Sequence, residues 1–195
     1  MTAISSLEFI HKKGIFGDHQ KKEEKNLLKI SEVKGLTIVQ IVQYKKTKVD
    51  LKNIKIDDLK FPTNSSEVTS DSKTRILWSA PRTWLVISVN EEIINKIMKN
   101  CSEENFAVTD ISHSRAAIQI QGTQARELLK KGCPLNINDF RKNSCAGSIY
   151  HGITIVVDCI ENEPDIFNLF VLRSFGESFY HHITDAALEF GYVGV

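Results

Sequence analysis

Apolar side chains in this chain fall in runs of strand length, and that spacing constrains the fold more than any other feature. Leu36–Gln43 is rich in β-branched residues and too short to stand as an independent helix, so it reads as a buried strand. Arg75–Ser79 and Trp84–Val89 are two further runs. Between them Ala80-Pro81-Arg82-Thr83 puts proline where a tight turn favours it, which predicts a hairpin. In Ala116–Gln121, Ala116, Ile118 and Ile120 alternate with Ala117, Gln119 and Gln121, the period-two signature of a strand with one buried face. Ile153–Val157 and Phe167–Leu172 predict another strand pair, joined by a polar loop containing Glu161, Glu163, Pro164 and Asp165.

Three times the period lengthens to that of a helix. Asn90 precedes Glu91 and Glu92, then Ile93, Ile94, Ile97 and Met98 form one stripe, with Lys96 and Lys99 toward the negative end of the dipole. Thr123 is positioned to cap a second helix with Ala125, Leu128 and Leu129 on one face, ended by Lys130, Lys131 and a left-handed Gly132. Ser174 and Glu177 match a capping box ahead of a stripe of Phe175, Phe179, Ile183, Ala187 and Phe190, which Gly191 stops. Strands and helices in this order imply an α+β chain with helices packed on mainly antiparallel sheet. The polar, mixed-charge stretch His11–Asn26 makes residues 1–35 an exposed arm or loop, with 36–195 as one domain or two packed halves. Lys45–Ser72 reads mainly as a connection.

Several function classes are disfavoured. The net charge of +1 supplies no field to recruit nucleic acid or anionic lipid. No apolar run approaches the about 20 residues needed to cross a bilayer, and Met1–Ile10 lacks the pattern of a secretory signal, so a cytoplasmic location without membrane contact is expected. Cys101, Cys133, Cys145 and Cys159 contain no C-x-x-C pair and no histidine at zinc-finger spacing, so they read as reduced thiols. His181 and His182 are adjacent on a helix and point about 100° apart, which argues against one shared ion. Asp110-Ile111-Ser112-His113 holds the residue types of a hydrolase triad but too locally for one, and reads as a hydrogen-bonded turn. No glycine pattern matches a dinucleotide or phosphate loop. No residue is therefore assigned a catalytic, cofactor-binding or metal-ligating role.

Three blocks resemble the gamma-subunit family of heterotetrameric sarcosine oxidase. Arg75-Ile76-Leu77-Trp78-Ser79-Ala80-Pro81-Arg82-Thr83-Trp84-Leu85 is similar to the family's R-x-L-x-L-G-P-D-E-W-L, with Ser79-Ala80 and Arg82-Thr83 departing from it. Thr109–Arg115, continuing through Ile120-Gln121-Gly122 to Leu128–Leu135, is the most specific block, and Phe170–Phe175 resembles V-x-R-S-F. The D-I-S turn followed by G-x-x-A-x-x-L-L also resembles the wider superfamily of the glycine-cleavage T-protein. That likeness implies an aminomethyltransferase-like folate-binding fold built from split β-α-β units. The gamma-subunit resemblance implies a complex in which alpha, beta and delta subunits carry FAD, FMN, NAD, tetrahydrofolate and zinc while gamma carries none. T-protein-like enzymes usually place an acidic pair where this chain has Ala146–His151, so the resemblance implies no proton-transfer group here. Asp110, His113, Arg115, Arg173, Trp78 and Trp84 are the residues expected to fix turns or meet partner subunits, with Phe61 and Tyr150 as further exposed aromatics. The alternative is a stand-alone folate-binding protein of the iron-sulfur maintenance type, whose K-G-C motif Lys131-Gly132-Cys133 resembles, although Pro134-Leu135 follows it instead of an aromatic and G-Q-E.

Overall fold

The strand-length runs pair into two large sheets, each the centre of its own unit, in a computed structural model that describes residues 4–195. In chain order the elements are β1 (Gly14–Phe16), β2 (Leu28–Glu32), β3 (Thr37–Gln43), β4 (Lys55–Ile56), β5 (Leu59–Lys60), β6 (Val68–Ser70), β7 (Thr74–Ala80) and β8 (Thr83–Ser88). Then follow α1 (Ile93–Asn100), β9 (Phe106–Asp110), β10 (Arg115–Gln121), α2 (Ala125–Lys130), β11 (Cys145–Tyr150), β12 (Ile153–Asn162), β13 (Asp165–Leu172), α3 (Gly176–Ala187) and β14 (Tyr192–Gly194).

One unit, Gly35–His113 with Asn143–Ala146, carries a five-stranded antiparallel sheet in the order β6-β7-β8-β3-β9. The β7–β8 hairpin forms as its sequence predicts, and Arg82, at φ 62°, follows Pro81 in the turn. Packed against this sheet, α1 buries Ile93 and Ile97, while Met98, assigned to its apolar stripe, is exposed. A four-residue spacing brings only part of a wide stripe to the sheet.

The other unit comprises the described residues up to Lys34, Ser114–Lys142 and Gly147–Val195, and is built on the seven-stranded sheet β1-β14-β2-β10-β13-β12-β11. The β2–β14 pair is parallel, whereas β10 runs antiparallel to both β2 and β13. Against β13 packs α2, and α3 covers β10 and β13. Leu28, Ile30, Ile118, Ile120, Leu128, Leu129, Phe167, Leu169, Phe179 and Ile183 are buried there.

Several expectations need correction. The first 35 residues are not an arm alone: β1 and β2 lie within them, and β2 takes an interior place in the sheet with Leu28 and Ile30 buried. The charged cluster that masked this strand, Lys21–Lys25, simply precedes it. β12 and β13 run longer than predicted and leave only Glu163-Pro164 between them, because polar side chains such as Glu161 and Asp165 continue the ladder as well as apolar ones. The three capping assignments fare unevenly. Asn90 does accept the Glu92 backbone N–H at 3.0 Å. Ser174, however, lies inside a 3-10 turn, Arg173–Phe175, so α3 begins only at Gly176 without a side-chain cap, and Phe175 falls outside its buried stripe. Thr123 precedes Gln124, which stands at the α2 N-cap and makes no side-chain bond either.

Candidate functional site

The D-I-S-H-S-R block is divided between the units: Asp110 to His113 end one and Arg115 begins β10 of the other. Asp110 closes β9 and its Oδ1 accepts the Ser112 backbone N–H at 2.9 Å and the Ser112 hydroxyl at 2.5 Å. Ser112 Oγ in turn accepts the Ile38 N–H at 2.9 Å, and Ile111 N–H donates to the Ile38 carbonyl, so the turn is tied to the start of β3. The Ser112 hydroxyl bond, then the Ser112 amide, hold the Asp110 carboxyl below its ordinary range. His113 is exposed on the 3-10 turn that follows. The geometry is that of a side-chain-capped turn, with the aspartate and serine spent on backbone groups.

Arg115 and Arg173 lie at the same end of the β10–β13 pair, since Arg115 is opposite Leu172 in the ladder. Burial pulls the Arg115 guanidinium down from its ordinary value. The Arg173 guanidinium donates to the Ile4 carbonyl, and Gly176 sits so close to Ser6 that a Cβ would come within 2.8 Å of its hydroxyl. Four apolar side chains on these adjoining segments stay exposed: Ile4, Phe9, Leu172 and Phe175, with Phe9 at 88%.

The expected exposed aromatics are elsewhere. Trp84 and Phe61 are buried within the apolar cluster of the five-stranded unit, edge to face at 4.9 Å, and Trp84 Nε1 donates to the Pro62 carbonyl at 2.8 Å. Tyr150 is fully buried, and its hydroxyl donates to the Leu128 carbonyl at 3.2 Å. Each large ring removes more apolar surface from water than a small residue could, and each polar tip finds a carbonyl, so burial wins. Trp78 is only partly buried, opposite Trp84 in the β7–β8 ladder, with its carbonyl accepting from the Cys145 thiol.

Lys131-Gly132-Cys133 acquires a structural account residue by residue. Lys131 Nζ donates to the Ala186 carbonyl at 2.6 Å, lies 2.9 Å from Glu189 and sits over the Phe190 ring, joining the end of α2 to the end of α3. Gly132 does not adopt the left-handed stop expected of it. A Cβ there would lie 2.8 Å from the Tyr150 and His151 rings, so glycine is required by close approach. Cys133 is buried, with Sγ 3.4 Å from Ser148 Oγ. Burial of the neighbouring hydroxyl pushes Tyr150 up to about 12.

Sequence reasoning missed the most strongly bonded group in the seven-stranded unit. Arg126 of α2 meets Asp165 at the start of β13 through Nε and Nη2 at 2.8–2.9 Å, and its Nη1 also donates to the Ile137 and Phe140 carbonyls. A polar row also crosses the sheet: Gln119 of β10 donates to Asn168 of β13 at 2.9 Å, and buried Asp158 of β12 stands opposite Asn168. A break in the alternation at Asp158 and Asn168 was the available signal, since polar residues inside two apolar runs mark an ordered network. Among the described residues no group of three or more His, Cys, Asp and Glu is arranged to hold a metal ion, and no helix is long and apolar enough to cross a membrane.

A model of the sarcosine oxidase, gamma subunit family matches residues 54–189. Sarcosine oxidase subunit gamma of Corynebacterium sp. (strain U-96) is 26% identical over 133 residues, 66% of this chain and 64% of the relative, so the match spans less than two thirds of that relative's length. Among solved structures, the heterotetrameric sarcosine oxidase from Corynebacterium sp. U-96 in complex with pyrrole 2-carboxylate contains a chain that matches with a TM-score of 0.76 at 22% identity, covering 86% of this chain and 87% of that one. The glycine cleavage system aminomethyltransferase T from Bartonella henselae matches with a TM-score of 0.60 at 13% identity, over 88% of this chain and 49% of that one. The fold is accordingly α+β and aminomethyltransferase-like, as the sequence blocks imply.

Proposed function

The chain belongs to the sarcosine oxidase gamma subunit family, and from that premise we propose that it serves as the non-catalytic gamma subunit of a heterotetrameric sarcosine oxidase. The family match over residues 54–189 carries the reading. Such a complex oxidises sarcosine to glycine, reduces oxygen to hydrogen peroxide and passes the one-carbon unit to tetrahydrofolate. On this reading alpha, beta and delta subunits supply FAD, FMN, NAD, the folate site and zinc in the cytoplasm, and gamma contributes surfaces.

The functional groups of this chain support a structural role. Asp110 and Ser112 are engaged with backbone, Cys133 is sheltered, and the best-bonded charge pair, Arg126–Asp165, ties α2 to a hairpin. Ile4, Phe9, Leu172 and Phe175, flanked by Arg115 and Arg173, are the kind of exposed apolar group with basic neighbours that permanent complexes cover.

Affinity purification of the tagged chain from its native cells tests the assignment. Stoichiometric recovery with three other chains, one of them yellow with flavin, is the expected result. Recovery as a soluble monomer with no flavoprotein attached overturns it. Calorimetric titration of the isolated chain with tetrahydrofolate adds a second arm: heat that saturates tightly would move the assignment to a stand-alone folate-binding protein.

A further inference from the structure

Of the histidines in the seven-stranded unit, two face each other across different elements. His151 occupies the first position of the two-residue turn between β11 and β12, at φ 46°, followed by Gly152 at φ 83°. Histidine is one of the few side chains that enters this left-handed region with some frequency, and Asn-Gly is the commoner choice for such a turn. The position is well held. His151 N–H donates to the Gly132 carbonyl at 3.1 Å, Tyr150 stands edge-on to the imidazole at 4.9 Å, and Gly132 makes room for both rings. On α3, His182 brings its ring to 5.1 Å from that of His151, with the planes inclined at 39°.

The other histidines of the unit are engaged. His11 uses both nitrogens, on Tyr180 and Val195, His19 Nδ1 meets the Gly17 carbonyl, and His181 Nε2 lies 3.8 Å from Glu177. Among the described residues no protein group hydrogen-bonds the imidazole of His151 or His182, and both residues are exposed. No protein group therefore competes for their ring nitrogens.

We propose that His151 and His182 together bind one divalent first-row transition ion of the imidazole-preferring class. Two imidazoles that share a tetrahedral ion at about 2.0–2.1 Å per nitrogen have ring centroids about 5 Å apart, the separation found between this pair. Carboxylate-preferring ions such as magnesium and calcium are not suited to it. On its α3 side His182 also lines an open cleft of about 480 Å³ together with His181 and Asp185, which leaves space for water ligands beside His182 and puts a carboxylate on the same helix, one turn further along. With two protein ligands the site is modest in affinity. It is formed by a hairpin turn and a helix face, so sequence adjacency plays no part: His181, next to His182, lies 3.8 Å from Glu177 and makes no ring contact with His151 among the described residues. The inference is independent of the gamma-subunit assignment.

The test is calorimetric titration of the chelator-treated full chain with zinc ion alone, at pH 7.5 and again at pH 5.5. One zinc per chain is expected at pH 7.5. Affinity should fall at least tenfold in His182→Ala and in His151→Asn, which retains a residue suited to the turn, and should be unchanged in His181→Ala. Acidification to pH 5.5 should weaken it, since both ligands must be neutral. Circular dichroism without zinc checks that each variant is folded. Absence of saturable uptake, equal loss in all three variants, or uptake that survives in the His151→Asn/His182→Ala double variant would each overturn the proposal.

Discussion

The interior of each unit is held by different chemistry. In the five-stranded unit a continuous apolar cluster runs from Val39 and Ile41 through Ile76, Trp84 and Val86 to Ile93, Ile97 and Phe106; within the cluster the indole N–H bonds Pro62, and the buried Thr74–Ser88 hydroxyl pair lies outside it at the far ends of β7 and β8. In the seven-stranded unit an apolar core of similar kind is crossed by polar bonds: Arg126 on Asp165, and Gln119 on Asn168 beside buried Asp158. Apolar burial is non-directional and rewards volume, whereas a buried polar bond rewards one register and penalises its neighbours. The difference teaches that the first unit can be weakened most by removing bulk, and the second by orphaning one partner of a pair.

Truncating the largest buried side chain is the strongest way to sharpen that contrast. Trp84→Ala should cost about 3–5 kcal/mol in urea unfolding, through lost burial, the cavity left against Phe61 and the unpaired Pro62 carbonyl. A loss below about 1 kcal/mol would mean the cluster collapses readily and bulk is not what holds this unit.

Next in size is Arg126→Met, expected to cost about 2–4 kcal/mol because it leaves the nearly buried Asp165 carboxylate unpaired. The double variant Arg126→Met/Asp165→Leu should recover much of the loss, since matched apolar groups of similar volume replace buried ion pairs with little penalty. If the double variant is as unstable as the sum of the two single ones, the pair does not act as a unit and the proposed contrast fails.

Gly132→Ala should cost about 1–3 kcal/mol by forcing the Tyr150 and His151 rings away from a Cβ at 2.8 Å. Thermal unfolding measures it. A neutral result would show that the turn yields, and that the seven-stranded unit is looser around β11 than its bonding suggests.

The smallest effect belongs to Asp110→Ala, below about 1 kcal/mol at neutral pH because the carboxylate is exposed and screened. Its sign with pH is definite. The folded state lowers the Asp110 pKa beneath its ordinary 3.8, so the stabilisation is present above that value and disappears as pH falls through the lower folded value. Wild type and variant should therefore differ at pH 7 and converge in acid unfolding below pH 3.8. A difference that grows in acid would sink the account of the turn.

Legibility differed by element. The β7–β8 hairpin, β3 and β10 follow from local pattern: a Pro-containing turn punctuates the hairpin, a short β-branched run marks a buried strand in β3, and alternation marks β10. The D-I-S turn was legible in part for the same reason, since Asp110 accepts the backbone N–H two residues on, whereas the bond from Ile38 N–H to Ser112 spans 74 residues. β1, β2 and β14 were not, since short strands with charged flanks look like arms until a neighbouring strand supplies their hydrogen bonds.

What the sequence determined by itself was therefore the class of fold, the hairpins, the helix faces and the family blocks, all of which depend on residues close along the chain. Only the tertiary structure decided which aromatics are core, why Gly132 is glycine, how Arg126 finds Asp165 thirty-nine residues away, and that His182 faces His151 rather than acting with His181. Those outcomes depend on which side chains the sheets bring within a few ångströms of one another, and no local periodicity encodes that distance.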